Sequence, residues 1–156
     1  VGGGGLTLAN QAVTLVFINP SSTIGFDVVR CWAGQTGTAT SAQQRVQTNT
    51  QVTAFPTLTS ATPSKLTLGD PTSGITGGTA GAAGTAGINA SAEGAGSKSN
   101  IVSDTFNNLN GHLWVPTPAE VIRLGAGASS GFGYHLPVAP GSLSNWQCGV
   151  NFSELG

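Results

Sequence analysis

No window of this 156-residue chain carries apolar residues at helical spacing without a glycine, a proline or a β-branched residue interrupting it. Where apolar residues do recur, they alternate with period two, the spacing of a strand with one face buried. Asn145 to Ser153 (NWQCGVNFS) shows this best, with Trp146, Cys148, Val150 and Phe152 on one face. Thr7 to Ile18 and Thr23 to Ala33 are rich in β-branched and aromatic residues, and Asn19-Pro20-Ser21-Ser22 between them is a turn signal, so the two are expected to form a hairpin. In the second arm Ile24, Phe26, Val28 and Trp32 share one face, spoiled by Arg30, while Gly25, Asp27, Val29 and Cys31 share the other. Further strands are expected within Gln43 to Phe55, Ser64 to Leu68, Gly111 to Val115, Glu120 to Leu124 and Phe132 to Val138. Pro116 and Pro118 confine Thr117 to an extended connection. Short strands separated by turn residues predict an all-β fold, an antiparallel β-sandwich or barrel of jelly-roll-like type, in a single domain spanning 1–156.

One stretch resists that pattern. Gly74 to Asn100 (GITGGTAGAAGTAGINASAEGAGSKSN) is mostly glycine, alanine, serine and threonine, with Ile75 and Ile88 its only sizeable apolar side chains. Ordering each backbone residue costs about 1–2 kcal/mol, glycine most of all, and small side chains do little to offset it. The expectation is an extended internal loop over 74–100, matched by a glycine-rich N-terminal arm over 1–5, both taking their order from neighbouring molecules. On this view, deleting Gly77 to Gly96 leaves the fold intact and harms only assembly.

Charge narrows the partners. Five Lys and Arg against six Asp and Glu give a net charge of −1, and only 7% of residues are charged. That count cannot neutralise a run of phosphates, so nucleic acid is not an expected partner. No apolar run approaches the roughly 20 residues of a membrane-spanning helix, so no membrane partner is expected. Cys31 and Cys148 fall on opposite faces by strand parity, so a bond between them would require a bulge; they are expected as free, packed thiols.

The candidates for chemistry are weak. Gly127-Ala128-Ser129-Ser130-Gly131 matches the G-x-S-x-G nucleophile elbow, but no helix can follow it, and the carboxylate after it, Glu154, lies beyond His135. The stretch Gly94 to Ser99 lacks the spacing of a phosphate loop around Lys98. His112 and His135 have no ligand-like spacing to each other or to Asp27, Asp70 or Asp104. Trp32, Trp114 and Trp146 would make a carbohydrate platform only if they faced outward, and two of them fall on expected core faces. No enzyme activity, cofactor or metal is expected.

Three segments, GQTGTATSAQQRVQTNTQVTAFPTLTSATPSKLTLGDP (34–71), FNNLNGHLWVPTPAEVIRL (106–124) and WQCGVNFSELG (146–156), resemble a group of small, largely uncharacterised β-rich proteins of tailed-phage virions. The resemblance implies a capsid decoration or accessory virion protein and carries over no functional residues. Its expected partners are copies of itself, as a homo-oligomer, and a major capsid protein. The apolar residues within or flanking the two arms, Leu6, Ile75, Ile88 and Ile101, are the expected assembly contacts. Two alternatives fit the same residues: an extracellular filament or surface-layer subunit, and a glycan-binding spike module.

Overall fold

In the computed structural model, which describes residues 1–9, 13–37, 40–127 and 129–156, every regular element is a strand. Twelve are found among the described residues: β1 (Gly2–Leu6), β2 (Thr14–Ile18), β3 (Gly25–Gln35), β4 (Gln43–Gln51), β5 (Thr57–Ser60), β6 (Thr76–Gly77), β7 (Thr85–Ala92), β8 (Lys98–Asn107), β9 (His112–Trp114), β10 (Ile122–Leu124), β11 (Gly131–His135) and β12 (Trp146–Leu155). They form a five-stranded sheet, ordered β1-β12-β3-β10 with β9 also on β3, and a seven-stranded sheet, ordered β5-β7-β2-β11-β4-β8 with β6 on β7. Both sheets stay open at their edges, so the fold is a sandwich and not a barrel.

The pairing is nested. β1 pairs with β12, β2 with β11, β3 with β10 and β4 with β8, all antiparallel, as if one long hairpin had been rolled across two sheets. That is the jelly roll. Phe26, Val28, Cys31, Trp146, Cys148 and Val150 of one sheet meet Leu15, Val16, Ile18, Val46, Phe132 and Tyr134 of the other in one buried cluster.

Several expectations are corrected. β2 and β3 lie in different sheets, so they are not a hairpin. Asn19 explains the crossing: its backbone N–H donates to Thr85 and its side chain binds Gly81 N–H and the Ser130 carbonyl, holding the turn to the seven-stranded sheet. Of the first arm only Thr14–Ile18 is β2; residues 10–12 lie outside the described set. Ser64 to Leu68 is a loop, with Leu66 and Leu68 projecting into solvent.

The parity of β3 also changes along its length. Arg30 opposes Asn151 but Val28 opposes Phe152, leaving Val29 as an extra residue in a β-bulge. Val29 and Arg30 both face out, and beyond them Cys31 and Ala33 turn to the core while Trp32 moves to the outer face. The two cysteines therefore share the core face and remain free. Cys31 opposes Val150, which makes Cys148 its diagonal neighbour. Diagonal pairs stand about 7–8 Å apart, beyond disulfide reach.

The glycine-rich stretch is not a loop throughout. Its middle is β7, lying between β5 and β2 with Ala86, Gly87 and Ala90 buried. Small side chains serve close backbone approach here: a Cβ on Gly87 would sit 2.7 Å from Leu58 Cβ and 3.0 Å from the Thr59 carbonyl oxygen. The N-terminal arm is likewise β1, with Gly2 opposite Gly149 and Gly3 opposite Cys148. Within this molecule, both segments are ordered by the protein's own sheets.

Candidate functional site

The outer face of the five-stranded sheet owes its shape to the bulge at Val29. A row runs across it through Gly2, Gly149, Trp32 and Leu113, which oppose one another on adjacent strands. The indole of Trp32 lies down on the glycines: a Cβ at residue 149 would fall 2.0 Å from Cζ2 and 2.2 Å from Cη2. The Arg30 guanidinium sits over the same ring, 5.0 Å from its centroid. Beside this stack Leu113 is 64% exposed, Val115 just beyond β9 is 58% exposed, and the bulged Val29 is 44% exposed.

Of the charges on this face Asp27 and Arg123 are paired, while Arg30 rests on the Trp32 ring with no carboxylate partner among the described residues. Arg123 donates from Nε and Nη2 to both carboxylate oxygens of Asp27, each at 2.7 Å, holding the Asp27 carboxyl below its ordinary range and raising the guanidinium. An apolar row beside a matched ion pair is a surface that another protein can cover, provided that Arg30 is left at the rim or meets an acceptor on the partner.

The four expected contact residues do not gather here. Ile75 is fully buried in the core, its N–H held by Ser73 Oγ and Glu154 Oε1. Leu6 and Ile88 pack half-buried against the core, so close to Gly3 that a Cβ there would meet Ile88 Cδ1 at 2.6 Å. Ile101 is exposed, the extra residue of a bulge in edge strand β8. The outer-face residues Trp32, Leu113 and Val29 were not among the expected contacts. Their signal was present in Gly111 to Val115, where Leu113 and Val115 occupy one parity and Trp114 the other, as in a strand with both faces to cover.

Two polar clusters hold the histidines. His112 of β9 receives the Tyr134 hydroxyl at Nδ1, 2.7 Å away, and turns Nε2 toward Asp104 Oδ2 at 3.4 Å, which is too long for a full hydrogen bond. Burial lowers the His112 pKa and Asp104 partly restores it; burial raises that of Tyr134. Since Tyr134 is wholly enclosed, the pair connects the two sheets and offers no exposed nucleophile. His135 lies on the outer side of the seven-stranded sheet, where Asn49 Nδ2 donates to its Nδ1 at 2.6 Å. Lys98 is paired with Glu93, whose carboxylate also accepts the N–H groups of Val13 and Thr14 and the Thr14 hydroxyl.

Elsewhere Asp70 lies in an exposed loop and receives Lys65 Nζ on its carbonyl. Trp146 is in the core and Trp114 packs against it. Of Gly127 to Gly131, Ala128 lies outside the described residues, and Gly131 opens β11. Among the described residues no three His, Cys, Asp or Glu groups converge as a metal site. A groove of 590 Å³ lies between the 63–73 loop and the end of β12 and includes Leu66, Asn151 and Phe152; it contains neither histidine. Compared with protein-family models, curated proteins and solved structures, the chain matches none.

Proposed function

We propose that this protein is a virion structural subunit, of capsid decoration or accessory type, that associates with copies of itself through the outer face of the five-stranded sheet and with a major capsid protein. The observation that carries the reading is the row Gly149, Trp32 and Leu113: a largely apolar strip on a sandwich face, beside the internally paired Asp27 and Arg123. Exposed apolar patches of this kind mark association surfaces, and aromatic residues concentrate at their centres. The jelly roll is a fold used by capsid proteins, and this supports the reading by analogy. A net charge of −1 limits repulsion between closely packed copies.

The glycan-binding alternative has less support. Gly149 lies beneath the Trp32 indole and Arg30 above it, leaving no open ring face for a sugar. Native mass spectrometry of the wild type and of Leu113→Asp tests the main reading. A wild-type oligomer that dissociates to a folded monomer on substitution is expected. A wild type that stays monomeric at concentrations of about 100 μM, well above the range of a specific interface, would defeat it.

A further inference from the structure

The outer face of the seven-stranded sheet is not bare. The segment 93–97, joining β7 to β8, crosses it together with the residues that follow β4. The two lie against each other: Gly96 N–H donates to the Ala54 carbonyl, and Cβ atoms on Gly94 or Gly96 would collide with the Ala54 or Thr53 carbonyl oxygen at 2.0 and 1.6 Å. Phe55 meets Phe17 with ring centroids 5.7 Å apart. Beneath them Asn49, Gln51 and His135 are buried although they point away from the core.

This cover is held by polar bonds. Residues 94–97 are Gly, Ala, Gly and Ser, with almost no apolar area to contribute. Its anchors are Glu93, which binds Val13 N–H, Thr14 N–H, Thr14 Oγ1 and Lys98 Nζ, and the Gly96 to Ala54 bond. The imidazole of His135 must be neutral for its Nδ1 to accept from Asn49. Asn49 Oδ1 and Gln51 Oε1 are buried without a partner, so the polar layer beneath the cover is only partly satisfied.

We propose that segment 93–97 is an acid-released cover: protonation of His135 and Glu93 detaches it from the seven-stranded sheet while the two-sheet core stays folded, uncovering the buried Gln51 beneath Gly96. A proton on Nδ1 turns the acceptor of Asn49's bond into a second donor. Turning the Asn49 amide over to meet it only exchanges one orphaned atom for another above Gly133, whose Cβ position is 2.5 Å from Asn49 Oδ1. The new charge also faces Lys98 of β8 and Arg45 of β4, both unfavourable, with Glu93 the opposing charge in favour. Protonating Glu93 removes that charge and weakens its bonds to β2.

Hydrogen exchange of the whole chain, compared at about pH 7 and about pH 4.5 after correction for intrinsic rates, tests this in the range where histidine and carboxylate titrate. The amides of Val13, Thr14 and Gly96 are expected to lose at least about tenfold in protection and to exchange well ahead of the β3 and β12 amides, which stay protected at the level of global unfolding. His135→Gln is expected to reduce that loss. Unchanged protection at the three reporters, or exchange of the three at the same rate as the β3 and β12 amides at about pH 4.5, overturns the proposal. Should the variant fail to fold, titration of the His135 imidazole in the wild type decides the point, and a midpoint near the unperturbed value of about 6.5 overturns it.

Discussion

Trp32 and Gly149 face each other on neighbouring strands with the indole resting where any side chain at 149 would stand. The contact requires a residue without a Cβ. Gly149→Ala is expected to lift the ring and cost about 1–3 kcal/mol, the range for overpacking a close contact. In a Trp32→Ala background the same substitution should be nearly neutral, because the clashing atoms are gone. Urea denaturation of the four proteins measures the coupling, and equal costs in both backgrounds would show that the contact is not made.

Tyr134 and His112 form the polar link between the sheets. Tyr134→Phe removes the donor from a buried imidazole nitrogen and is expected to lower stability by about 1–3 kcal/mol. Changing His112 to Phe as well should cost less than the two single changes added together, since no group is then left unsatisfied. Thermal melts of the single and double variants supply the comparison; strict additivity would argue against the bond.

Acid should weaken the protein before its surface carboxylates titrate. Burial lowers the pKa of both His112 and His135, the latter to about 4, so the folded state favours neutral rings. A histidine depressed on folding contributes its full share above the unfolded pKa and loses it as pH falls toward the folded one. For His135 that window runs from about 6.5 down to about 4, with a loss on the order of 3 kcal/mol. Glu93 acts at lower pH: burial raises its pKa, but its bonds to Lys98 and Thr14 outweigh that and lower it overall, so its share disappears as pH falls through the folded value. Denaturant midpoints measured from pH 7 to 4 should fall steadily, and a flat profile above pH 5 would contradict the buried, neutral His135.

The sequence displayed those strands whose apolar residues alternate and whose neighbours do not interrupt them. β12 is legible because Trp146, Cys148 and Val150 meet the core at every second position. β3 is legible as far as Val28, after which the bulge reverses the faces and carries Trp32 outward. Nothing local marks that reversal except two consecutive exposed residues, so the main element of the candidate surface pointed the wrong way. The turn at Asn19 fits a hairpin and a crossing equally well, and the choice is made by Gly81, Thr85 and Ser130, all distant in sequence. β7 escaped notice because apolar periodicity measures buried area, whereas Ala86, Gly87 and Ala90 serve through the closeness of the backbones they permit.

Glycines in this chain differ in what they tolerate. Gly96 has the Thr53 carbonyl oxygen 1.6 Å from its Cβ position, whereas Gly125 has nothing within 4 Å. Gly96→Ala must displace backbone and is expected to destabilise by more than about 1 kcal/mol. Gly125→Ala should be neutral or stabilise by up to about 1 kcal/mol through a less flexible unfolded chain. Comparable melting points for the two variants would show that the 53–55 and 93–97 segments are not in contact.

Deleting Gly77 to Gly96 gives the most direct test of where the glycine-rich stretch gets its order. The deletion removes β7 entirely, so β2 loses the partner of Val16, Phe17 and Ile18, and β5 loses the strand that joins it to the sheet. It also removes Glu93, the acceptor for Val13 and Thr14. Restoring the pairing would require β5 to cross to β2, but each pairs in a register set by β7. Loss of a cooperative thermal transition is therefore expected, together with loss of protection in β2. A deletion variant that melts sharply near the wild-type temperature would mean that the jelly roll stands without this strand, and that the stretch is ordered by something other than the sheet it lies in.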